Sequence, residues 1–369
     1  MKGSFFDELG RFGSFDFPSF LKNVRRENIE RALLKESLSE LDFLSLLSQN
    51  ALRYFEPLAQ RAQERTLANF GRVISLYIPL YISNYCDNDC LYCGFKNSNV
   101  IQRRKLSVRE VEREAQEISK SGIRHVLLLT GESKDVSPVS YIKECIQVAS
   151  RYFTSVGIEI YPLTEDEYVM LIVAGADGLT IYQETYDRDL YSMLHFCGPK
   201  SDYRFRLDAP QRAAEARMRQ VNIGALLGLG EFQKDVFFTG LHGRWLQNSY
   251  PEIELGISFP RMQLHAGGFV CAHPLTDREL VQSVIAMRLF LPRAGIAIST
   301  RENSTLRKNL IGLGVTRMSA GSRTQVGGYA LAATKEGQFE IADTSSVDEV
   351  KTMIAQKGYQ PVCKDWQAL

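Results

Sequence analysis

Cys86, Cys90 and Cys93 stand at a C-x3-C-x2-C spacing, with Tyr92 directly before the last of them. Three thiols packed this closely hold a metal or a metal cluster far more readily than they fill a core. A closed zinc site, or a fully protein-ligated iron–sulfur cluster, needs a fourth ligand nearby. The next cysteine, Cys145, lies well along the chain. The spacing therefore predicts a metal centre with one open position. The competing reading is a structural zinc site that borrows a distant His or Cys.

The elements that must position this loop can be read from the periodicity. The first seventy or so residues are helical in pattern, with apolar faces on 20–34 and 41–47 and a longer amphipathic stretch over 51–70. From Arg72 onward strand-like and helix-like runs alternate. Strands are predicted over 73–78, 125–130, 157–162, 178–183, 221–227, 254–259, 295–299 and 315–320. Ser107 with Glu110, and Thr164 with Glu167, have capping-box spacing and open two of the intervening helices. Further helices are predicted over 138–152, 209–218, 232–248, 277–291, 301–313 and 347–357, with a long loop before 209. Eight βα units in order place the chain in the α/β class and predict a TIM-type (βα)8 barrel over 72–345. Residues 1–71 form a helical extension in front of it, and 346–369 a helix and tail behind it. A doubly wound open sheet is the competing architecture.

Composition narrows the setting. The 369 residues are 44% hydrophobic and carry a formal net charge of +1, so bulk electrostatics argue for neither nucleic acid nor an anionic membrane as partner. No apolar run is long enough to cross a bilayer, and the first residues lack the apolar core of a secretory signal. The seven cysteines are odd in number and clustered, which points to reduced thiols in a cytoplasmic compartment.

In such a barrel, reactive residues gather at the C-terminal ends of the strands. The notable polar residues do fall there. The cysteine loop follows the first strand and Thr130-Gly131-Glu132 the second. Glu159 lies on the third, and Gln183-Glu184-Thr185 follows the fourth. Ser299-Thr300-Arg301-Glu302 follows the seventh strand and Ser319-Ala320-Gly321-Ser322 the eighth.

The cysteine spacing with its aromatic residue resembles the signature of the radical S-adenosylmethionine (SAM) superfamily. The resemblance implies that the three thiolates hold three irons of a [4Fe–4S] cluster, and that the fourth iron takes the amino and carboxylate groups of SAM. Thr130-Gly131-Glu132 resembles the family's Gly-Gly-Glu strand end, with Thr in place of the first Gly, and is expected to receive SAM's methionine part. Glu159 suits the ribose diol and Arg206 the SAM carboxylate. Tyr92 and Glu184 join the cofactor's surroundings, and the small residues around Leu227 leave room for its adenine.

Further motifs narrow the resemblance: Tyr182-Gln183-Glu184-Thr185-Tyr186, Ser258-Phe259-Pro260-Arg261, Gly327-Gly328-Tyr329 and Lys364-Asp365-Trp366. With the strand-end segments above, they resemble the aromatic amino-acid lyases of that superfamily, nearest the tyrosine lyases of thiazole (thiamine) biosynthesis. That family's reaction would take a hydrogen from the amino group of L-tyrosine and break its Cα–Cβ bond, giving 2-iminoacetate (dehydroglycine) and p-cresol. An amino-acid substrate needs a fixed cation for its carboxylate. Arg301 is the bidentate candidate, with Ser319 or Ser322 as hydroxyl partner, and the alternative is an Arg301 paired with Glu302. Tyr81 and Tyr85 flank the cysteines. The five histidines show no metal-ligand pairing, although His265 and His273 follow the sixth strand, where protons could be handled. The expected partners are a thiazole synthase subunit and a flavodoxin or ferredoxin electron donor.

Three rival readings remain. Tryptophan lyases share the motifs. Hydrogenase-maturation tyrosine lyases carry a second cluster in a C-terminal extension, whereas the tail here holds only Cys363. A non-catalytic zinc protein would be colourless on reconstitution. Because no spare cysteine lies near the loop, Cys90→Ala should lose the SAM-cleaving cluster. Anaerobic reconstitution followed by iron analysis and visible absorption checks this, and a variant that keeps a full cluster overturns it.

Overall fold

The alternating apolar runs form parallel strands: β1 (Val73–Ser83), β2 (His125–Thr130), β3 (Ser155–Glu159), β4 (Gly178–Glu184), β5 (Gln220–Ala225), β6 (Glu254–Ser258), β7 (Gly295–Ile298) and β8 (Arg317–Ser319). Each pairs in parallel with its neighbour in sequence. The sheet closes where Ser75 and Tyr77 of β1 meet Arg317 and Ser319 of β8. Closure removes both sheet edges and rules out the open doubly wound alternative. The structure, a computed structural model, describes residues 3–263, 269–271 and 273–367. Among these, no helix is long and apolar enough to cross a membrane.

The differences from the expected elements have local causes. β1 runs on to Ser83 because its alternation continues through Leu80 and Ile82, and this carries the chain to the lip of the cysteine loop. A ninth short strand, β9 (Gln360–Val362), pairs with Val73–Ser75 at the lower end of the barrel. Three residues containing a proline give no readable period. The loop expected after β4 contains two short helices, Arg188–Leu194 and Tyr203–Leu207, started by the capping carboxylates of Asp187 and Asp202. The helix expected from 301 begins at Ser304, capped by Asn303, so Arg301 stays in the loop at the barrel mouth.

The N-terminal helices wrap the outside of the barrel. Helix Asp277–Phe290 is buried on all sides from Leu280 onward, because helices Glu40–Leu46 and Phe55–Phe70 cover its outer face. Phe43 stacks on Phe290 with centroids 4.2 Å apart, and Gln282 Nε2 donates to the carbonyls of Leu46 and Ser48 at 2.8 and 2.9 Å. Phe5 stacks flat on the ring of buried His242 at 4.1 Å.

One buried carboxylate ties the segment after β8 across the barrel mouth. Glu114, on helix Val108–Ser119, accepts from the backbone N–H groups of Gly328, Tyr329, Ala330 and Leu331 at 3.2, 2.8, 3.2 and 2.9 Å. Its removal leaves four N–H groups to find other partners. Glu114→Ala should therefore lower stability by about 3 kcal/mol, with Glu114→Gln between it and wild type. Thermal denaturation of the three proteins tests the ranking.

Candidate active site

β1 delivers the chain into the cysteine loop, and polar anchors fix the loop's path. Asn84 Nδ2 donates to the Gln102 carbonyl at 2.8 Å, and the Arg104 N–H donates back to Asn84 Oδ1 at 2.7 Å. The Arg103 guanidinium donates to the carbonyls of Asn84, Phe95 and Lys96 at 2.6, 2.8 and 2.6 Å, stapling both arms of the loop. Gly131 accounts for the fit against β2: a Cβ there would stand 2.2 Å from the Tyr85 carbonyl oxygen. The missing side chain thus makes room for the cysteine loop, and Gly131 also lines the compartment beside it.

Cys86, Cys90 and Cys93 all line one compartment at the C-terminal end of the barrel, with a volume of about 70 Å³. Burial pushes their thiols up, Cys86 to about 11, so the metal-free chain carries them protonated and loading must displace those protons. Among the described residues, no three His, Cys, Asp or Glu side chains converge as ligands of a single ion would. Three separate thiolates facing a cavity suit a cluster in which each takes its own iron.

Beside the cysteines lie two carboxylates and two cations, Glu184, Lys200 and Arg206 buried and Glu132 slightly more open. Lys200 Nζ is 2.6 Å from Glu184 and 3.6 Å from Glu132. Arg206 is 2.8 Å from Glu132 and 3.4 Å from Glu184, and its Nε donates to the Tyr182 carbonyl at 2.7 Å. Burial opposes ionisation of Glu132, but Arg206 and Lys200 outweigh it and hold that carboxyl at about 2. Glu184 is lowered for the same reason against the same burial. Its backbone is left-handed, with φ of 71°, at a bulge that ends β4 and turns its carboxylate toward this group. Asn88 links the quartet to the cysteine loop: its Nδ2 donates to Glu132 at 3.1 Å, and its Oδ1 accepts the Lys200 N–H at 2.8 Å.

A second compartment of about 70 Å³ adjoins the first, sharing Cys93, Glu159, Glu184 and Lys200 and adding Tyr92, Leu226, Met262 and Arg301. The Arg301 guanidinium lies 3.4 Å from the centroid of Phe339 and has no carboxylate partner among the described residues. Glu302, the alternative partner, is taken by Arg261. Tyr92 donates its hydroxyl to His195 Nε2 at 2.7 Å, while His195 Nδ1 bonds the Tyr191 carbonyl at 2.8 Å. Tyr81 donates to Gln338 at 2.7 Å and packs edge-on against Phe95.

Most of the predicted residues meet here: the three cysteines, Thr130, Gly131, Glu132, Glu159, Glu184, Arg206, Tyr92 and Arg301 line the two compartments. Thr130 Oγ1 is buried without a partner. Three residues are placed differently. Leu227 is fully buried, and both its backbone groups bond to the Pro260–Met262 segment, so the neighbouring Leu226 faces the cavity instead. Ser319 Oγ accepts the Thr300 N–H at 3.1 Å and braces the loop that carries Arg301. Ser322 Oγ is buried, unpartnered and outside both linings. His265 lies outside the described residues. Lys200, His195, Gln338 and Phe339 escaped sequence reasoning, since each sits in an irregular segment that no periodicity or motif marks.

The family model described as the radical SAM superfamily matches residues 80–237, and that described as the Biotin and Thiamin Synthesis associated domain matches 258–360. The 2-iminoacetate synthase of Salmonella typhimurium is 38% identical over 342 residues, covering 92% of this chain and 91% of its own length. That of Escherichia coli is 39% identical over the same extent. Among solved structures, HydG, a maturase of the FeFe-hydrogenase, superposes with a TM-score of 0.87 at 28% identity, over 95% of this chain and 80% of that one. Methylornithine synthase (PylB) shares the fold, with a TM-score of 0.71 at 20% identity.

Glu159 is the one acid in these compartments whose carboxyl is pushed up, to about 7. Burial is the main cause, eased by Arg301 and reinforced by Glu184. A group that binds its proton more tightly when folded makes the native state less stable as pH rises from its ordinary value toward the raised one. Stability should therefore fall between about 4.5 and 7 on this account. Glu159→Gln removes that slope, so its melting temperature relative to wild type should be higher at pH 8 than at pH 5. Thermal melts of the metal-free proteins at both values test it, and an equal difference at the two would refute it.

Proposed function

Because the chain belongs to the 2-iminoacetate synthase family of radical SAM enzymes, we propose that its two adjoining compartments hold SAM and L-tyrosine side by side. The enzyme cleaves the Cα–Cβ bond of L-tyrosine to 2-iminoacetate and p-cresol. A [4Fe–4S] cluster and SAM are its cofactors, and when bound they supply the electron and the 5′-deoxyadenosyl radical that starts the reaction. Cys86, Cys90 and Cys93 would hold the cluster, leaving one iron for SAM.

The chain's own residues then bind, orient and exclude water. The quartet of Glu132, Glu184, Lys200 and Arg206 has no net charge and offers both signs within a few ångströms, which suits the zwitterionic amino-acid end of SAM. Leu226 and Tyr92 supply apolar walls, and His195 holds the Tyr92 ring in place. Across the cavity, Arg301 is the cation for the tyrosine carboxylate. The observation that carries this assignment is that Arg301 faces the same space as Cys93 with no carboxylate of its own. Stacking on Phe339 orients the guanidinium without neutralising it. Burial pushes the neighbouring Glu159 carboxyl up to about 7, which weakens the negative charge it sets beside Arg301 and an incoming carboxylate. Ser319 acts through the 299–302 loop, not on the substrate directly.

The product imine hydrolyses readily in water, which supports hand-over to a thiazole synthase subunit in the cytoplasm. A flavodoxin or ferredoxin would deliver the electrons. The decisive assay is anaerobic turnover with SAM, a reductant and L-tyrosine, which should yield p-cresol and 5′-deoxyadenosine. SAM cleavage triggered only by L-tryptophan would reassign the substrate and leave the family intact. Arg301→Gln should reduce kcat/KM for tyrosine about 10- to 100-fold, chiefly through KM, as expected for one charge-assisted carboxylate contact.

A further inference from the structure

A larger cavity than either compartment lies at the other end of the barrel. A (βα)8 barrel is ordinarily filled by layers of branched side chains. Here the inward positions of its lower half include Ser75, Gly157, Gly178, Gly256, Gly295 and Ala297, and they enclose a cavity of about 200 Å³. Tyr77 and Tyr182 form its roof, and Tyr182 also lines both compartments above. The tail after β9 forms part of its floor, held by Asp365 against His125 Nε2 at 2.6 Å and Ser75 at 2.8 Å.

The charges around this cavity are unevenly satisfied. Of its acids, Asp365 is engaged as just described, and Glu254 bonds Arg219 at 2.5 Å and Gln220 Nε2 at 2.9 Å. Arg317 also lines the cavity. It donates one Nη to Gln220 Oε1 and lies with Cζ 5.3 Å from the Tyr77 centroid. It forms no ion pair among the described residues, although the Asp365 carboxylate is near enough to attract it, and donors of its planar fork are left free. A guanidinium beside a hollow too large to be left by imperfect packing is the half of a carboxylate site that a protein must supply. Asn222 and Thr180 add polar wall, bonded to each other at 3.4 Å.

We propose that the lower barrel cavity is a second binding site, for a carboxylate of two or three carbons, with Arg317 as its anchor. A ligand of this size fits there alongside a few waters. The two-carbon imino acid released above the tyrosine roof and a free carboxylate entering from solvent share this chemistry. That the ligand is the product rests on the tyrosine-cleaving reading, but the site itself does not.

The test uses reconstituted holoenzyme with SAM and L-tyrosine present and no reductant, so that the upper site is filled and silent. Radiolabelled glyoxylate is the probe in equilibrium dialysis. Saturable binding to wild type is expected, weakened about tenfold or more by Arg317→Gln. Gly295→Val is the second variant: a Cβ at Gly295 meets nothing closer than 3.7 Å, so the added methyls grow into the hollow. It should lose the site while melting no lower than wild type. Absence of saturable binding, or equal affinity in wild type and both variants, overturns the proposal. With reductant added, labelled product retained by wild type after rapid gel filtration but not by Gly295→Val identifies the product as ligand. Equal retention, with glyoxylate binding still lost in the variants, identifies solvent as the source. Failure to cleave tyrosine would leave the dialysis result standing.

Discussion

The structure depends on a largely buried set of four charges. Glu132, Glu184, Lys200 and Arg206 join the end of β2, the end of β4 and the excursion between β4 and β5, and Asn88 extends the link to the cysteine loop. Taking four ions out of water is costly, and their mutual attraction offsets that cost only while all are present and hydrogen-bonded. Loss of one leaves an uncompensated charge in a low-dielectric space. The arrangement therefore does more for geometry than for net stability: it specifies where four chain segments meet. It also leaves a polar, water-poor environment already oriented before a zwitterion arrives, so little reorganisation remains to be done on binding.

The rest of the mouth is arranged around that set by exclusions. Gly131 exists because the Tyr85 carbonyl needs its space, and Gly198 because the backbone of Asp87 and Asn88 needs the space a Cβ would take. Arg301 remains available because Arg261 has claimed Glu302, and because Phe339 offers the guanidinium a face instead of a counter-charge. Phe339 is there because the segment after β8 is pinned at both ends. Glu114 gathers four of its N–H groups, and the buried pair of Arg307 and Asp343 holds its far side. The site is thus assembled by side chains that never face the cavity.

The two ends of the barrel solve opposite packing problems. At the mouth, large and charged side chains crowd the space, and the compartments are small. At the base, glycines and short polar residues leave the interior hollow. In a strand such glycines weaken packing and lower propensity, so their repetition on β3, β4, β6 and β7 has a cost that closure and the covering helices must offset. Helices 232–249 and 277–290 are themselves sealed from outside by the N-terminal extension, which stiffens one flank of a barrel with a partly empty core.

By itself the sequence determined the chemistry that depends on spacing and the elements that depend on period. Three cysteines within eight residues can face one cavity whatever surrounds them, and alternating apolar runs separated by capped helices leave little but a parallel barrel. The strand ends were legible for the same reason, and with them Glu132, Glu159, Glu184 and Arg301. Tertiary structure decided what depends on distant partners. Lys200 reads as surface charge until its turn is laid against Asn88. Leu227 looks open to a ligand until the Pro260–Met262 segment takes its backbone. Ser319 looks like a substrate contact until Thr300 claims its hydroxyl, and Arg301 becomes an available cation only when Arg261 takes Glu302. Local pattern fixes which groups a chain can present, but whether a polar group is free is a sum over neighbours brought from far along the chain, and only the folded structure carries out that sum.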